Sequence, residues 1–300
     1  MSLEVDYIID RRRLKRRLSF WRVLAILVLA IMAITSISDT KSGDYIARLN
    51  VTGLIVDDIE REFALKSIKE DEEALALIVR IDSPGGTVVG GENLYHSLKD
   101  FSNVKPVVAV MGSTATSAGY MIALGADHLI AREGSLTGSI GVLLQTADIT
   151  SLLEKLGIKP EVIKSGPLKA QPNPFEKTSK EARGAVESVV LDLYAMFVDI
   201  VAERRKMSPQ AVRALADGRV YSGRQALANG LIDAIGSESE ALDWLQKTRK
   251  IPLNITVRDV IIERSGQNWR KFINEMVGKA LFSERLSLDG LFSLWQSKVW

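Results

Sequence analysis

Two short stretches hold most of the residues whose types and spacing could do chemistry. "DSPGG" spans Asp82–Gly86, and "GSTATSAGY" runs from Gly112 to Tyr120. A serine becomes a nucleophile where the backbone exposes its hydroxyl and a base takes its proton. Ser117 stands where an apolar strand pattern ends and an apolar helix pattern starts, so free backbone N–H groups of the helix mouth point at it. Its small neighbours Ala115, Ala118 and Gly119 leave room for a peptide backbone to approach. A second donor can come from the turn at Gly85–Gly86, and two N–H groups from separate turns are what an oxyanion hole requires. The competing reading is structural: small residues make tight turns, and Ser113, Thr116 and Ser117 cap a helix. There is no Gly-x-Ser-x-Gly elbow to decide between the two.

The base is harder to find. The chain has no cysteine and two histidines, His96 and His128. His96 falls on the polar side of a helical stripe, and His128 opens a strand near the rim. Neither has a metal-ligating partner at useful spacing. A Ser-His-Asp triad is not the expectation, and neither is a metal or any other cofactor. Without cysteine, the fold has no disulfide and rests on its core alone.

The elements that must position these groups follow from pattern. "ALALIVRID" (74–82) and "PVVAVMG" (106–112) read as buried strands, with a helix between them carrying Val88, Leu94 and Leu98. A short apolar helix after Ser117 and a strand at "DHLIA" come next, then a helix over 150–156 and a strand at "PEVIK" (160–164). Strands alternating with helices imply βαβ units and a mostly parallel sheet covered by helices, an α/β fold. Thr178 and Glu181 read as a capping box opening a long helix to about Lys206, and Ser208-Pro209 starts another. The last fifty residues, 251–300, change character and contain a candidate strand, "NITVRDVII". They also contain Trp269, Trp295 and Trp300, which suit core, an oligomer contact or a membrane surface.

The N-terminus has its own organisation. Residues 1–18 are basic, with Arg11, Arg12, Arg13, Lys15, Arg16 and Arg17 ahead of an apolar run at 19–38. Such a run reads as one transmembrane signal-anchor, with the basic end in the cytoplasm and later residues on the far side of the inner membrane. A cleaved signal peptide is the alternative. The apolar neighbour argues against the basic block being a nucleic-acid tail.

With these segments in view, the chain resembles the signal peptide peptidase A (protease IV) family. The resemblance rests on "DSPGG", "GSTATSAGYMIALGADHLIA", "GSLTGSIGV", "IKSGPLKAQPNPF" and "DGRVYSGRQALANGLIDAIG", in that order over residues 45–240. It implies a Clp/crotonase-like fold, a peptidase domain at 45–250 in its short single-unit form, and a Ser-Lys dyad. The nucleophile falls on Ser117 and the general base on Lys169, with Ser139 matching the residue that orients the lysine amine. Gly86 and Ala118 match the oxyanion hole, although many relatives carry glycine at the latter position. The implied substrates are released signal peptides and other apolar, unfolded segments. The implied assembly is a homo-oligomeric ring or dome, in which single-unit forms can complete the dyad across a subunit boundary. The alternatives are a stomatin-associated membrane Ser-Lys protease, or an inactive membrane scaffold of the same fold. Asp217-Gly218-Arg219 and Gly230–Asp233 read as structural turns and ion pairs.

Overall fold

A computed structural model describes residues 16–29, 43–252, 255–262 and 292–294. The chain divides into two units, residues 1–43 and 44–300. In the first, helix α1 (residues 16–29) exposes Phe20, Trp21, Ile26 and Leu29. Among the described residues no helix is long and apolar enough to cross a membrane. The remainder of the expected anchor, 30–38, lies outside them.

The second unit is built on a nine-stranded mixed sheet. In chain order it comprises β1 (Tyr45–Ile55), α2 (Ile59–Glu70), β2 (Ala74–Thr87), α3 (Val88–Ser102), β3 (Val107–Thr116), α4 (Ala118–Ala123), β4 (His128–Ala131) and β5 (Leu136–Gly138). There follow α5 (Thr150–Lys155), α6 (Lys180–Arg205), α7 (Pro209–Leu215), β6 (Val220–Ser222), α8 (Gly223–Ala228), β7 (Ala234–Ile235), α9 (Glu238–Arg249), β8 (Thr256–Asp259) and β9 (Phe292–Leu294). The main path of the sheet is β6-β5-β3-β2-β1-β8. Pairing is parallel except for β5 with β6 and β2 with β9.

The unbroken apolar runs of β2 and β3 follow from burial of both sheet faces, as parallel sheets require. Leu77, Val79 and Ile81 pack on one side with Val107, Ala109 and Met111. Ala76, Ile78, Val108 and Val110 pack on the other, against Ala241 and Leu245 of α9. Helix α3 buries Val88, Leu94 and Leu98 as its spacing predicts, together with Tyr95 and Phe101. Its two glycines, a weak point by propensity, are needed for contact. A Cβ on Gly90 would stand 2.6 Å from the backbone of Val56, and one on Gly91 3.0 Å from the Cβ of Ala118.

Two expectations need correction. No strand forms over 160–164, because this stretch has no neighbouring strand to pair with. Helix α6 starts one residue later than the capping box implied: Ser179, not Thr178, is its N-cap, and the Ser179 side chain accepts the Ala182 N–H. The helix ends at Lys206, which adopts a left-handed conformation. Ser208 caps α7 ahead of Pro209, as the sequence indicates. The candidate strand near residue 256 forms as β8 and pairs with β1. Trp269, Trp295 and Trp300 lie outside the described residues.

One polar anchor ties α6 and the β4–β7 corner together. Asp233 accepts two hydrogen bonds from Arg205, at 3.1 and 2.7 Å, and one from the Leu129 N–H at 2.8 Å. Burial by itself would raise the Asp233 carboxyl, but Arg205 and the Leu129 N–H outweigh it and hold the pKa below the ordinary 3.8. A depressed folded-state pKa stabilises the fold above the unfolded value and loses that contribution as pH falls through the folded one. In Asp233→Asn the unfolding free energy is therefore expected to fall less steeply than in wild type below about pH 4, measured by urea denaturation across the acid range.

Candidate active site

The site is assembled by three strand ends at one edge of the sheet. β3 delivers Ser117, β2 delivers the Gly85–Gly86 turn, and β5 delivers Ser139. The parallel register pairs Thr116 with Gly138, so Ser117 and Ser139 follow paired residues on adjacent strands. Ser117 donates its N–H to the Gly138 carbonyl at 2.8 Å, and Ser139 donates its own to the Arg219 carbonyl at 2.8 Å. Both serines are nearly buried, with 1% and 6% of their surface exposed.

Both also have left-handed backbones. Ser117 has φ 57° and ψ −120°, and Ser139 has φ 50°. A non-glycine residue held there costs of order 1–3 kcal/mol, which the surrounding structure must offset. The sharp turn between β3 and α4 is thus an elbow in shape, although the glycines of the elbow motif are missing from the sequence. Ser117 is the N-cap residue of α4 but makes no side-chain cap bond to it. The capping reading of this serine therefore fails at the bond that would define it.

The oxyanion candidates are placed with equal closeness. A Cβ on Gly86 would stand 1.8 Å from the Ile55 carbonyl oxygen, so only glycine fits where β1 and β2 meet. Ala118 is fully buried at the start of α4, where the first N–H groups have no preceding turn to bond. Gly119 brings that helix onto β2, since a Cβ there would stand 3.1 Å from the Ser83 carbonyl.

Buried hydroxyls hold these turns together, in a role that sequence reasoning did not assign to them. Thr116 donates to the Pro84 carbonyl at 3.0 Å, linking the residue before Ser117 to the Gly85–Gly86 turn. Ser83 donates to the Gly53 carbonyl at 2.6 Å and accepts the Gly85 N–H at 3.1 Å. Thr137 donates to the Ala115 carbonyl at 2.8 Å, and Ser135 to that of Gly112 at 2.6 Å. Asp82 accepts the Thr114 N–H at 3.1 Å. The available signal was the run of uncharged hydroxyl residues inside strand patterns, where buried polar groups must find partners.

Lys169 is placed differently. It is exposed, in a turn within an arm spanning 141–181 that contains no buried residue. The turn is braced from within: Asn173 donates to the Ala170 carbonyl at 2.8 Å, and Ile149 donates its N–H to that of Pro174 at 3.0 Å. Ala170 itself has φ 58°. Lys164, five residues earlier in the stretch read as the strand "PEVIK", lies in no strand. It forms an ion pair with Glu176, whose carboxyl is held below the ordinary range by this lysine and by Asn173. The structure thus gathers Ser117, Ala118, Ser139 and Gly86 and leaves Lys169 on the arm.

Neither histidine supplies a base. His96 is exposed on α3. His128 pairs with Val108, nine residues before Ser117 on β3, or about 30 Å of extended chain. It stacks on Trp244 at a centroid distance of 4.8 Å. Asp217 pairs with Arg219 and Asp233 with Arg205, in the structural roles expected of them.

Comparison with known proteins identifies relatives of the chain. A model of peptidase family S49 matches residues 99–252. A putative protease of Synechocystis sp. is 41% identical over 207 residues, covering 68% of this chain and 74% of the relative. A putative signal peptide peptidase SppA of Enterococcus faecium is 35% identical over 233 residues, covering 72% and 67%. A membrane-bound stomatin-specific protease of solved structure overlays with a TM-score of 0.49 and 16% identity, covering 74% of this chain and all of that one.

The strain at Ser117 yields a prediction. Ser117→Gly is expected to raise stability by about 1 kcal/mol, because glycine adopts this backbone without penalty, while abolishing labelling by a serine-directed probe. Chemical denaturation of both proteins checks it; an unchanged or lowered stability would mean that the backbone is not strained there.

Proposed function

The chain belongs to peptidase family S49 and is a serine peptidase, and from that premise we propose a membrane-anchored endopeptidase that uses a Ser-Lys dyad to degrade released signal peptides. Ser117 is the nucleophile, Lys169 the general base, and Ser139 the residue that orients the lysine amine. The Gly86 and Ala118 N–H groups receive the charge of the tetrahedral intermediate. On this reading the sheet is of the Clp/crotonase-like kind. The observation that carries the proposal is the strained, nearly buried Ser117 set between Ser139 and the Gly85–Gly86 turn.

In the reaction, Ser117 Oγ attacks the substrate carbonyl as the Lys169 amine takes its proton. The acyl-enzyme forms, the proton passes to the leaving amine, and a water then repeats the sequence in reverse roles. A lysine can act this way only in its neutral form, which removal from water favours. Lys169 is exposed in the single chain, on an arm that also exposes Leu152, Leu156, Ile158, Val162, Phe175 and, at 94%, Ile163. Burial of this arm by a second copy would bring both the missing cover and a second lysine. A homo-oligomer that completes the dyad between subunits is therefore part of the proposal. So is the topology: a cytoplasmic basic N-terminus, one membrane pass over 19–38 and a catalytic unit outside, where secreted proteins leave their signal peptides.

Detergent-solubilised wild type is expected to cleave a synthetic signal peptide, with Ser117→Ala and Lys169→Ala each inactive. Mixing the two inactive proteins under exchange conditions should restore cleavage if one copy's serine works with another's lysine; no recovery would confine the dyad to one chain.

A further inference from the structure

β2 has two edges at the site, and their occupants can be followed residue by residue. One edge is held by β1 as far as Ile55 opposite Gly86. The other is covered by β3 from Leu77 opposite Val107 to Ser83 opposite Ala115. There β3 turns away at Thr116 into the elbow of Ser117. This leaves the edge at Gly85–Thr87 open immediately in front of the nucleophile. In the fold that edge is taken by the chain's own C-terminal strand, β9: Leu294 lies opposite Gly85, Ser293 opposite Gly86 and Phe292 opposite Thr87, running antiparallel.

An open edge is where an extended peptide is held by main-chain hydrogen bonds, with its side chains read in adjoining pockets. Gly86 is both the oxyanion residue and the centre of the β9 pairing. A peptide placed for attack by Ser117 and the strand β9 therefore compete for the same edge of β2. The composition of the C-terminal segment agrees: from Gly290 to Ser297, "GLFSLWQS" has no charged residue and four large apolar ones. That is the character of the substrates proposed above.

We propose that the C-terminal segment centred on Phe292–Leu294 occupies the substrate-binding edge at Gly85–Thr87 and holds the peptidase in a self-inhibited state that incoming peptides must displace. The proposal rests on the peptidase reading of Ser117. It assigns a role to a segment that sequence patterns left between core, oligomer contact and membrane surface. It also gives the extended length of β2 a use, because among the described residues the last three of that strand pair on this edge with β9 alone.

The test uses the full-length protein with Ser293→Pro and Leu294→Pro together. Consecutive strand residues aim their N–H groups at opposite edges, so one of the two prolines removes a donor facing β2. The first readout is amide hydrogen exchange at Gly85–Thr87, which should quicken in the variant while the β1–β3 core stays protected. The second is cleavage of a synthetic signal peptide. Its KM should fall by roughly 3- to 10-fold with kcat unchanged, the change expected if self-occupancy leaves only about a tenth to a third of sites free. A peptide of residues 288–297 should inhibit the variant competitively. Unchanged exchange at Gly85–Thr87, or unchanged KM with no inhibition by the peptide, would overturn the proposal. If exchange quickens but neither protein cuts a signal peptide, the strand pairing stands and the substrate reading of the site is what has failed.

Discussion

The active edge depends on how closely two strand ends can approach. At Gly86 the backbone of β2 lies so near Ile55 that no side chain fits between them. This contact sets the height of the Gly85–Gly86 turn relative to β1. The Thr116 hydroxyl then carries that position across to β3 through the Pro84 carbonyl. Ser117 is strained because its place is dictated from both sides: by the Gly138 carbonyl that takes its N–H, and by a helix that has to start at the next residue. The buried hydroxyls of Ser83, Ser135 and Thr137 do in this chain what apolar packing alone cannot. They fix the direction of individual carbonyls, while the surrounding leucine and valine layers supply most of the burial energy.

The strands that bring Ser117 to its place were legible because they are long, apolar and bounded by turn residues. The helices α3, α6 and α7 were legible from spacing and caps. The failures have physical causes. β5 and β6 are three residues each, too short for any period to register, yet they place Ser139. "PEVIK" has strand composition without a partner strand, and composition alone does not make a ladder. Thr178 and Ser179 are equally good caps chemically, and only the extended backbone at Ser179 decides between them. The role of Lys169 came solely from resemblance, since no local pattern marks one exposed lysine among many. The β9 pairing joins residues some two hundred positions apart, and no local reading reaches that far.

The arm at 141–181 stands apart energetically from the rest of the unit. Elsewhere apolar side chains are covered by the sheet and its helices. Here Leu143, Leu144, Leu156 and Ile163 are presented outward on a segment whose only internal support is a few polar braces. An exposed apolar surface of this extent is what interaction sites display. On the proposed reading, chemistry and association share one segment, and the group that would activate Ser117 lies among the residues that would bury it.

The way this arm leaves and rejoins the sheet has a consequence for how such a protein diversifies. Gly141 departs beside Gly218, where the chain returns, and β5 and β6 pair antiparallel just before and just after that junction. Residues 141–218 are thus a single excursion with its two ends clamped together. The cost of closing such a loop grows only slowly with its length. Insertions, deletions or wholesale replacement between α5 and the start of α6 leave the strand registers at Ser117 and Gly86 untouched. The stretch between the two helices can thus change in length on its own, whereas α6 and α7, which bury Phe197, Val201 and Val212, are bound to the core that carries Ser117.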